Sequence, residues 1–246
     1  MKSVLITGAN KGIGFETAKQ LLRKGFYVFL GSRNLQNGLD ALNKLNAEGF
    51  TNVELLQIDV TNDLSVNNAR QKVEAKIDNL DVLINNAGIN GGKEPYTALT
   101  SEPEEFKNAF DVNVIGTARV TKAFIGLLKK ADAPRIVNLS TSVGSLSLQS
   151  DTNWPAYNYA KYAVYASSKA ALNMYTIHLA YELKDTNFKI NAVCPGLTAT
   201  DFTFGNGGHV ETAAKRVIKY ATLNEDGPSG KFFSEETNPE TGEISW

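Results

Sequence analysis

The sequence predicts a doubly wound α/β domain, in which one parallel sheet lies between two helical layers in a three-layer α/β/α arrangement. Three observations predict it. Short continuous apolar runs recur along the chain, as strands buried on both faces of a parallel sheet require. Stretches of helical periodicity separate them, the alternation that builds strand-helix-strand crossovers. The first apolar run ends in T-G-A-N-K-G-I-G, Thr7 to Gly14, a glycine-rich turn between strand and helix where this architecture binds phosphate.

The elements follow in order. Val4 to Thr7 is the first strand, and Ile13, Thr17, Ala18, Leu21 and Leu22 mark a helix that Gly25 ends. Tyr27 to Gly31 is the second strand, followed by a helix whose inward face is read as Leu35, Leu39, Leu42 and Leu45. Val53 to Ile58 is the third strand, with Val66, Ala69, Val73 and Ile77 on the next helix. Asp81 to Ile84, Arg135 to Leu139 and Lys189 to Val193 are three further strands, and long helical patterns run over Pro103 to Lys130 and Tyr162 to Lys184. No repeat, linker or composition shift divides the chain, so residues 1–246 are expected to form one domain. Residues 234–246 form a polar tail, expected to be loosely ordered.

Charged residues make up 21% of 246 and the net charge is −1, which offers no electrostatic footprint for nucleic acid or an anionic membrane. No apolar run is long enough for a spanning helix, and the N-terminus enters a strand at once. The single cysteine, Cys194, excludes an internal disulfide and fits a reducing, cytoplasmic compartment. His178 and His209 are isolated and nothing has metal-ligand spacing, so no metal is expected.

Gly8, Gly12 and Gly14 allow the backbone to turn tightly and approach a pyrophosphate on the helix N-terminus. The second strand ends in Ser32 and Arg33, where a dinucleotide site often carries an acid for the ribose 2′-hydroxyl. Arg33 and Lys11 are cations suited to a 2′-phosphate; the bland alternative is two solvated surface bases. Asp59 closes the third strand, placed to accept from an adenine amine.

T-G-x-x-x-G-x-G at Thr7, N-N-A-G at Asn85 to Gly88, Asn113 inside a long helix, a Y-x-x-x-K motif, and P-G at Pro195 occur in register. This series resembles the compact short-chain dehydrogenase/reductase family, a single-domain Rossmann fold, over nearly the full chain. With T-G-x-N-K-G-I-G and the base after strand two, it looks most like the NADPH-dependent carbonyl reductases. Two pairs satisfy Y-x-x-x-K, Tyr157/Lys161 and Tyr165/Lys169. Tyr165 stands thirty residues before Pro195, the family's spacing, and runs straight into a helical pattern, whereas Tyr157 follows Trp154-Pro155 in an apparent loop.

The resemblance implies that Tyr165 protonates a carbonyl oxygen while hydride arrives from the nicotinamide. Lys169 is expected to lower the tyrosine pKa and to bind the nicotinamide ribose, with Asn113 holding a relay water. The family's substrate-orienting serine aligns with Thr141, flanked by Ser140 and Ser142; Thr141 and Ser142 both remain candidates. The resemblance extends the NADP(H) site to Gly8, Asn10, Lys11, Gly12, Ile13 and Gly14, to Ser32, Arg33 and Asn34, and to Asp59 and Val60. Asn86, Ala87, Gly88, Tyr165, Lys169, Pro195, Gly196, Thr198 and Thr200 complete it. Residues 200–210, glycine-rich with Phe202 and Phe204, look like a mobile lid over an apolar small-molecule carbonyl substrate.

The segment between Thr141 and Tyr165 is longer than in compact members. By resemblance it covers an oligomer face, so a monomer or weak homodimer is expected. Two rival functions remain: a sugar-nucleotide epimerase or dehydratase of the extended branch, for which the chain leaves little room, and a non-catalytic NADP-binding redox sensor. Such sensors generally lose the tyrosine or lysine, and this chain keeps both.

Overall fold

The computed structural model describes residues 1–246. Seven strands form one sheet: β1 (Ser3–Ile6), β2 (Tyr27–Ser32), β3 (Val53–Gln57), β4 (Val82–Asn85), β5 (Arg135–Leu139), β6 (Lys189–Val193) and β7 (Lys231–Phe233). All pair in parallel, in the order β3-β2-β1-β4-β5-β6-β7. The winding reverses between β1 and β4, and an open sheet of this kind leaves its binding crevice at the carboxyl ends of the strands beside such a switch point.

The helices are α1 (Gly12–Arg23), α2 (Leu35–Ala47), α3 (Asp63–Glu74), α4 (Pro103–Phe110), α5 (Thr117–Leu128), α6 (Leu146–Ser150), α7 (Ala163–Glu182) and α8 (Val210–Ala221). Strand side chains alternate between two cores. Val4, Ile6, Val28 and Leu30 point to one side, against Leu21 and Leu22 of α1 and Val217 and Ile218 of α8. Leu5, Phe29, Leu83 and Ile136 point to the other, against Val66 of α3 and Phe124 of α5. A buried amide ladder ties that second layer to the sheet. Asn85 Nδ2 donates to Asn138 Oδ1 at 2.9 Å and to Thr121 Oγ1 at 3.1 Å, and Asn138 Nδ2 donates to Thr176 Oγ1 at 2.9 Å. Buried amides need such partners, and these fix α5 and α7 over the strands.

Four departures from the sequence reading have physical causes. The inward face of α2 is Gly38, Ala41 and Leu45, while Leu35 and Leu39 are exposed. Gly38 allows the close approach, since a Cβ there would lie 2.4 Å from Leu55 Cδ1, and that rotates the leucine stripe away. The helix expected over Pro103 to Lys130 is interrupted by a π-helical turn, Asp111–Gly116. α8 and β7 were not anticipated. Finally, the tail is packed: Trp246 stacks on Phe232 with centroids 5.4 Å apart, Lys231 Nζ pairs with Glu243 at 2.7 Å, and Ser147 N donates to Trp246 O at 3.0 Å.

Candidate active site

The glycine turn leaves β1 with Gly8 at φ +63° and Gly12 at φ +56°, the left-handed region that favours glycine. A Cβ on Gly14 would lie 2.5 Å from Asn86 Nδ2 and 2.6 Å from Gly8 O, so only glycine fits there. The first N–H groups of any helix lack internal acceptors. Asn34 and Asn62 cap α2 and α3 with their side chains, whereas α1 begins without a side-chain cap and has no acid in its first turn. Unclaimed donors with a favourable dipole suit a diphosphate, and this donor set fits the pyrophosphate of a dinucleotide.

Residues 86–88 join that turn to Asn113 and Lys169. Asn86 Nδ2 donates to Thr7 O at 2.8 Å and Gly8 O at 2.9 Å, and Thr7 Oγ1 accepts from Asn86 N and Ala87 N. A Cβ on Gly88 would stand 3.2 Å from Asn113 Oδ1 and 3.5 Å from Lys169 Nζ. Asn113, fully buried, lies in the π-helical turn. Its Oδ1 accepts from Ile89 N at 2.9 Å, and its Nδ2 donates to Ile89 O and Ser168 Oγ, each at 2.9 Å. Such single-turn π segments frequently mark functional positions, because the extra residue re-aims a side chain.

Tyr165 and Lys169 sit one turn apart at the start of α7. Ser168 Oγ donates to Tyr165 O at 2.8 Å, which connects Asn113 to the tyrosine backbone through a residue the sequence reading missed. Lys169 is buried; its Nζ donates to Leu139 O at 2.7 Å and lies 5.7 Å from the Tyr165 ring centroid. Burial pushes the ammonium down to about 8. Burial also pushes the half-buried Tyr165 phenol above its ordinary value, and the Cys194 thiol acts in the same direction. The expected lowering of the tyrosine by its lysine is not seen here: burial dominates the phenol, and the ammonium is directed at the Leu139 carbonyl.

The competing pair is a surface feature. Tyr157 lies in a turn outside any helix, with Lys161 Nζ 3.8 Å from its ring centroid and hydrogen-bonded to Gln149 O and Oε1 at 2.9 Å. At the end of β5, Ser140 is buried and committed to Asn173 Oδ1 at 2.6 Å. Thr141 and Ser142 are both half-buried; Thr141 Oγ1 accepts from Val143 N at 3.3 Å, and the Cys194 thiol approaches Ser142 Oγ at 4.0 Å.

At the adenosine end, Ser32 Oγ donates to Asn34 O at 2.8 Å, and the Asn34 amide is occupied in capping α2. Asp59 Oδ1 accepts from Thr61 N and Oγ1, and Val60 is buried beside Gly116. Arg33 is exposed. Lys11, in contrast, pairs with Asp201 at 2.7 Å and holds that carboxyl below its usual range.

That ion pair belongs to residues 200–210, whose base is closed by Ala199 N to Gly208 O at 2.9 Å and Gly208 N to Leu197 O at 2.8 Å. Thr200 Cγ2 would lie 3.4 Å from a Cβ on Gly12, and the Phe202 ring is 5.4 Å from the Tyr165 ring. The segment thus spans the crevice from glycine turn to tyrosine. Below it, Arg216 Nη1 donates to Pro195 O at 2.7 Å, and Glu236 Oε2 accepts from Leu197 N at 3.0 Å. Neither Asp201, Arg216 nor Glu236 carries a local sequence signal, because each reaches its partner across the fold.

The sequence profile of the short chain dehydrogenase family matches residues 2–207. Salutaridine reductase of Papaver bracteatum is 32% identical over 298 residues, covering 95% of this chain and 94% of that protein. (−)-Isopiperitenone reductase of Mentha piperita is 35% identical over 303 residues, covering 93% of this chain and 95% of its own. Both alignments are longer than the chain, so these relatives carry inserted residues that it lacks. NADPH-bound carbonyl reductase from chicken fatty liver superposes with a TM-score of 0.85 at 27% identity, covering 100% of this chain and 99% of that one.

Proposed function

The chain belongs to the short chain dehydrogenase family, and from that premise we propose that it reduces the carbonyl of a small apolar molecule, a ketone, aldehyde or quinone, to an alcohol with NADPH. The observation that carries this reading is the continuous path from the glycine turn through residues 86–88 to Asn113, Lys169 and Tyr165. The reductase relatives and the NADPH-bound neighbour support the same cofactor and direction.

Gly8, Asn10, Gly12, Ile13 and Gly14 would receive the diphosphate, with Asp59 and Val60 at the adenine. Arg33 and Lys11, beside Ser32 and the Asn34 backbone, would meet the 2′-phosphate, Lys11 by exchanging Asp201 for the stronger anion. Asn86, Ala87, Gly88, Pro195, Gly196, Thr198 and Thr200 line the remainder. When bound, the cofactor supplies hydride to the carbonyl carbon. Tyr165 Oη donates its proton to the carbonyl oxygen, and its raised pKa keeps that proton in place at neutral pH. Lys169 stabilises the phenolate left behind, and Asn113 holds the far end of the relay that returns the proton, from the π-helical turn. Thr141, with Ser142 as the neighbouring alternative, donates a hydroxyl to the same carbonyl oxygen. Residues 200–210 act as the lid, with Phe202 excluding water over Tyr165.

We place the protein in the cytoplasm on the support of its single buried thiol; no helix is long and apolar enough to cross a membrane. The test is NADPH consumption against a panel of quinones, aromatic aldehydes and ketones, with NADH in parallel. Tyr165→Phe should lose at least about 100-fold in turnover while NADPH affinity stays near wild type, and Tyr157→Phe should change little. Equal losses from both substitutions would refute the assignment. Wild-type binding without turnover across the panel would favour the sensor.

A further inference from the structure

We propose that Glu236 and Arg216 are positioning residues that clamp the Pro195–Leu197 turn and thereby set where the lid stands over Tyr165. The link to catalysis rests on the reductase reading above; the clamp itself rests on geometry alone.

The turn follows β6 and starts the lid. Gly196 adopts φ +88°, and a Cβ there would meet Arg216 Nη1 at 2.2 Å and Glu236 Oε1 at 3.1 Å. Both side chains therefore fill the space where a Cβ on Gly196 would stand, Arg216 from α8 and Glu236 from the segment after β7. Each also holds a backbone group on either side of that glycine. Arg216 Nη1 donates to Pro195 O at 2.7 Å, and Glu236 Oε2 accepts from Leu197 N at 3.0 Å. Pro195 is buried but Leu197 is 59% exposed, so apolar burial anchors only the start of the turn. Charge-assisted hydrogen bonds are the stronger kind, and at Leu197 one takes the place of a packed side chain.

Glu236 is itself held firmly. Cys194 N donates to Phe233 O at 2.7 Å, which ties β6 to the strand leading into Glu236, and Ser234 N donates to Gly242 O at 2.7 Å beyond it. From the clamped turn the order passes onward. Thr198 Oγ1 donates to Gly196 O at 3.0 Å, and Leu197 O accepts the Gly208 N–H that closes the lid base. The lid tip then reaches Lys11 through Asp201 and Tyr165 through Phe202. A tail residue distant in sequence from the catalytic pair thus governs one wall of its crevice.

Two measurements on Glu236→Ala, Glu236→Gln, Arg216→Lys and the nearby control Glu240→Ala decide the matter. The first is amide hydrogen exchange over residues 196–208 without cofactor. The second is NADPH affinity by fluorescence, together with KM and kcat. Glu236→Ala should speed exchange at Leu197 and the lid base by at least about tenfold. It should raise Kd and KM for NADPH by about tenfold, and lower kcat by no more than about threefold, because one charge-assisted bond is lost and no reacting group is touched. Glu236→Gln keeps an oxygen acceptor and should stay within about threefold of wild type in each reading. Arg216→Lys, which loses the planar fork, should move as Glu236→Ala does, and Glu240→Ala should not move. Unchanged Leu197 exchange in Glu236→Ala, or faster exchange with unchanged Kd and KM, overturns the proposal. A wild type that does not bind NADPH would sink the reductase reading, and the exchange arm would still decide the clamp.

Discussion

Tyr165 and Lys169 share one desolvated crevice, and burial acts on them with opposite sign. The phenol is pushed up and keeps its proton; the ammonium is pushed down to about 8 and readily gives one up. For stability, the unfolded chain binds more protons at Lys169 from about pH 8 up to the group's ordinary value. Stability therefore rises with pH through that window, and the cost of burying the charge is fully present below it. For carbonyl reduction the requirement runs the other way, since a charged Lys169 best stabilises the departing phenolate. We expect kcat/KM to fall as pH rises through about 8, as measured between about pH 6 and about pH 10. A flat profile over that range would contradict the role given to Lys169. Ser168 illustrates what residue-level reading cannot reach. It lies inside the Y-x-x-x-K motif, but its value comes from Asn113 Nδ2, which only the packing of the π-helical turn against α7 brings within 2.9 Å.

Two elements carry most of the site. The first turn of α1 is shaped by Gly14, whose neighbours at 2.5 Å and 2.6 Å are a committed amide and a backbone carbonyl. Neither can retreat cheaply, because Asn86 Nδ2 is held by Thr7 O and Gly8 O. Gly14→Ala should destabilise by about 2 kcal/mol, a fall in Tm of roughly 4–8 °C for a chain of this size, and should weaken NADPH binding as the turn shifts. Thermal denaturation with a parallel affinity titration checks both; an unchanged Tm would show that the turn can relax. The π-helical turn Asp111–Gly116 is the second such element. Its helical pattern was legible across Pro103 to Lys130, but the extra residue per turn was not, since periodicity averages over it. α8 did have a readable signal in Ala213, Ala214, Val217, Ile218 and Ala221, all buried. β7 did not: three residues are too few for a pattern, and pairing with β6 makes them a strand.

At the scale of the molecule, the winding reversal between β1 and β4 opens the crevice, and residues 200–210 and the tail close round it. The long segment before α7 does not cover that helix entirely. It engages the tail through Ser147 and is closed on itself through Gln149 and Lys161, while Met174 and Tyr181 stay exposed on α7. We expect light scattering to return a monomer, or a dimer that dissociates on dilution; a stable tetramer would mean that α7 is an interface after all. The sequence by itself determined the architecture and the family, and it put forward the glycine turn as the nucleotide site and Tyr165, rather than Tyr157, as the acid of the proposed reaction. These depend on local periodicity, on glycine's backbone freedom and on motif register, all written along the chain. Only the tertiary structure decided that Lys11 is tied to Asp201, that burial raises the Tyr165 phenol, that α2 turns Leu35 and Leu39 outward, and that Glu236 returns from the tail to the Pro195–Leu197 turn. Each of these depends on desolvation or on a contact between residues distant in sequence, and such terms exist only once the chain has packed.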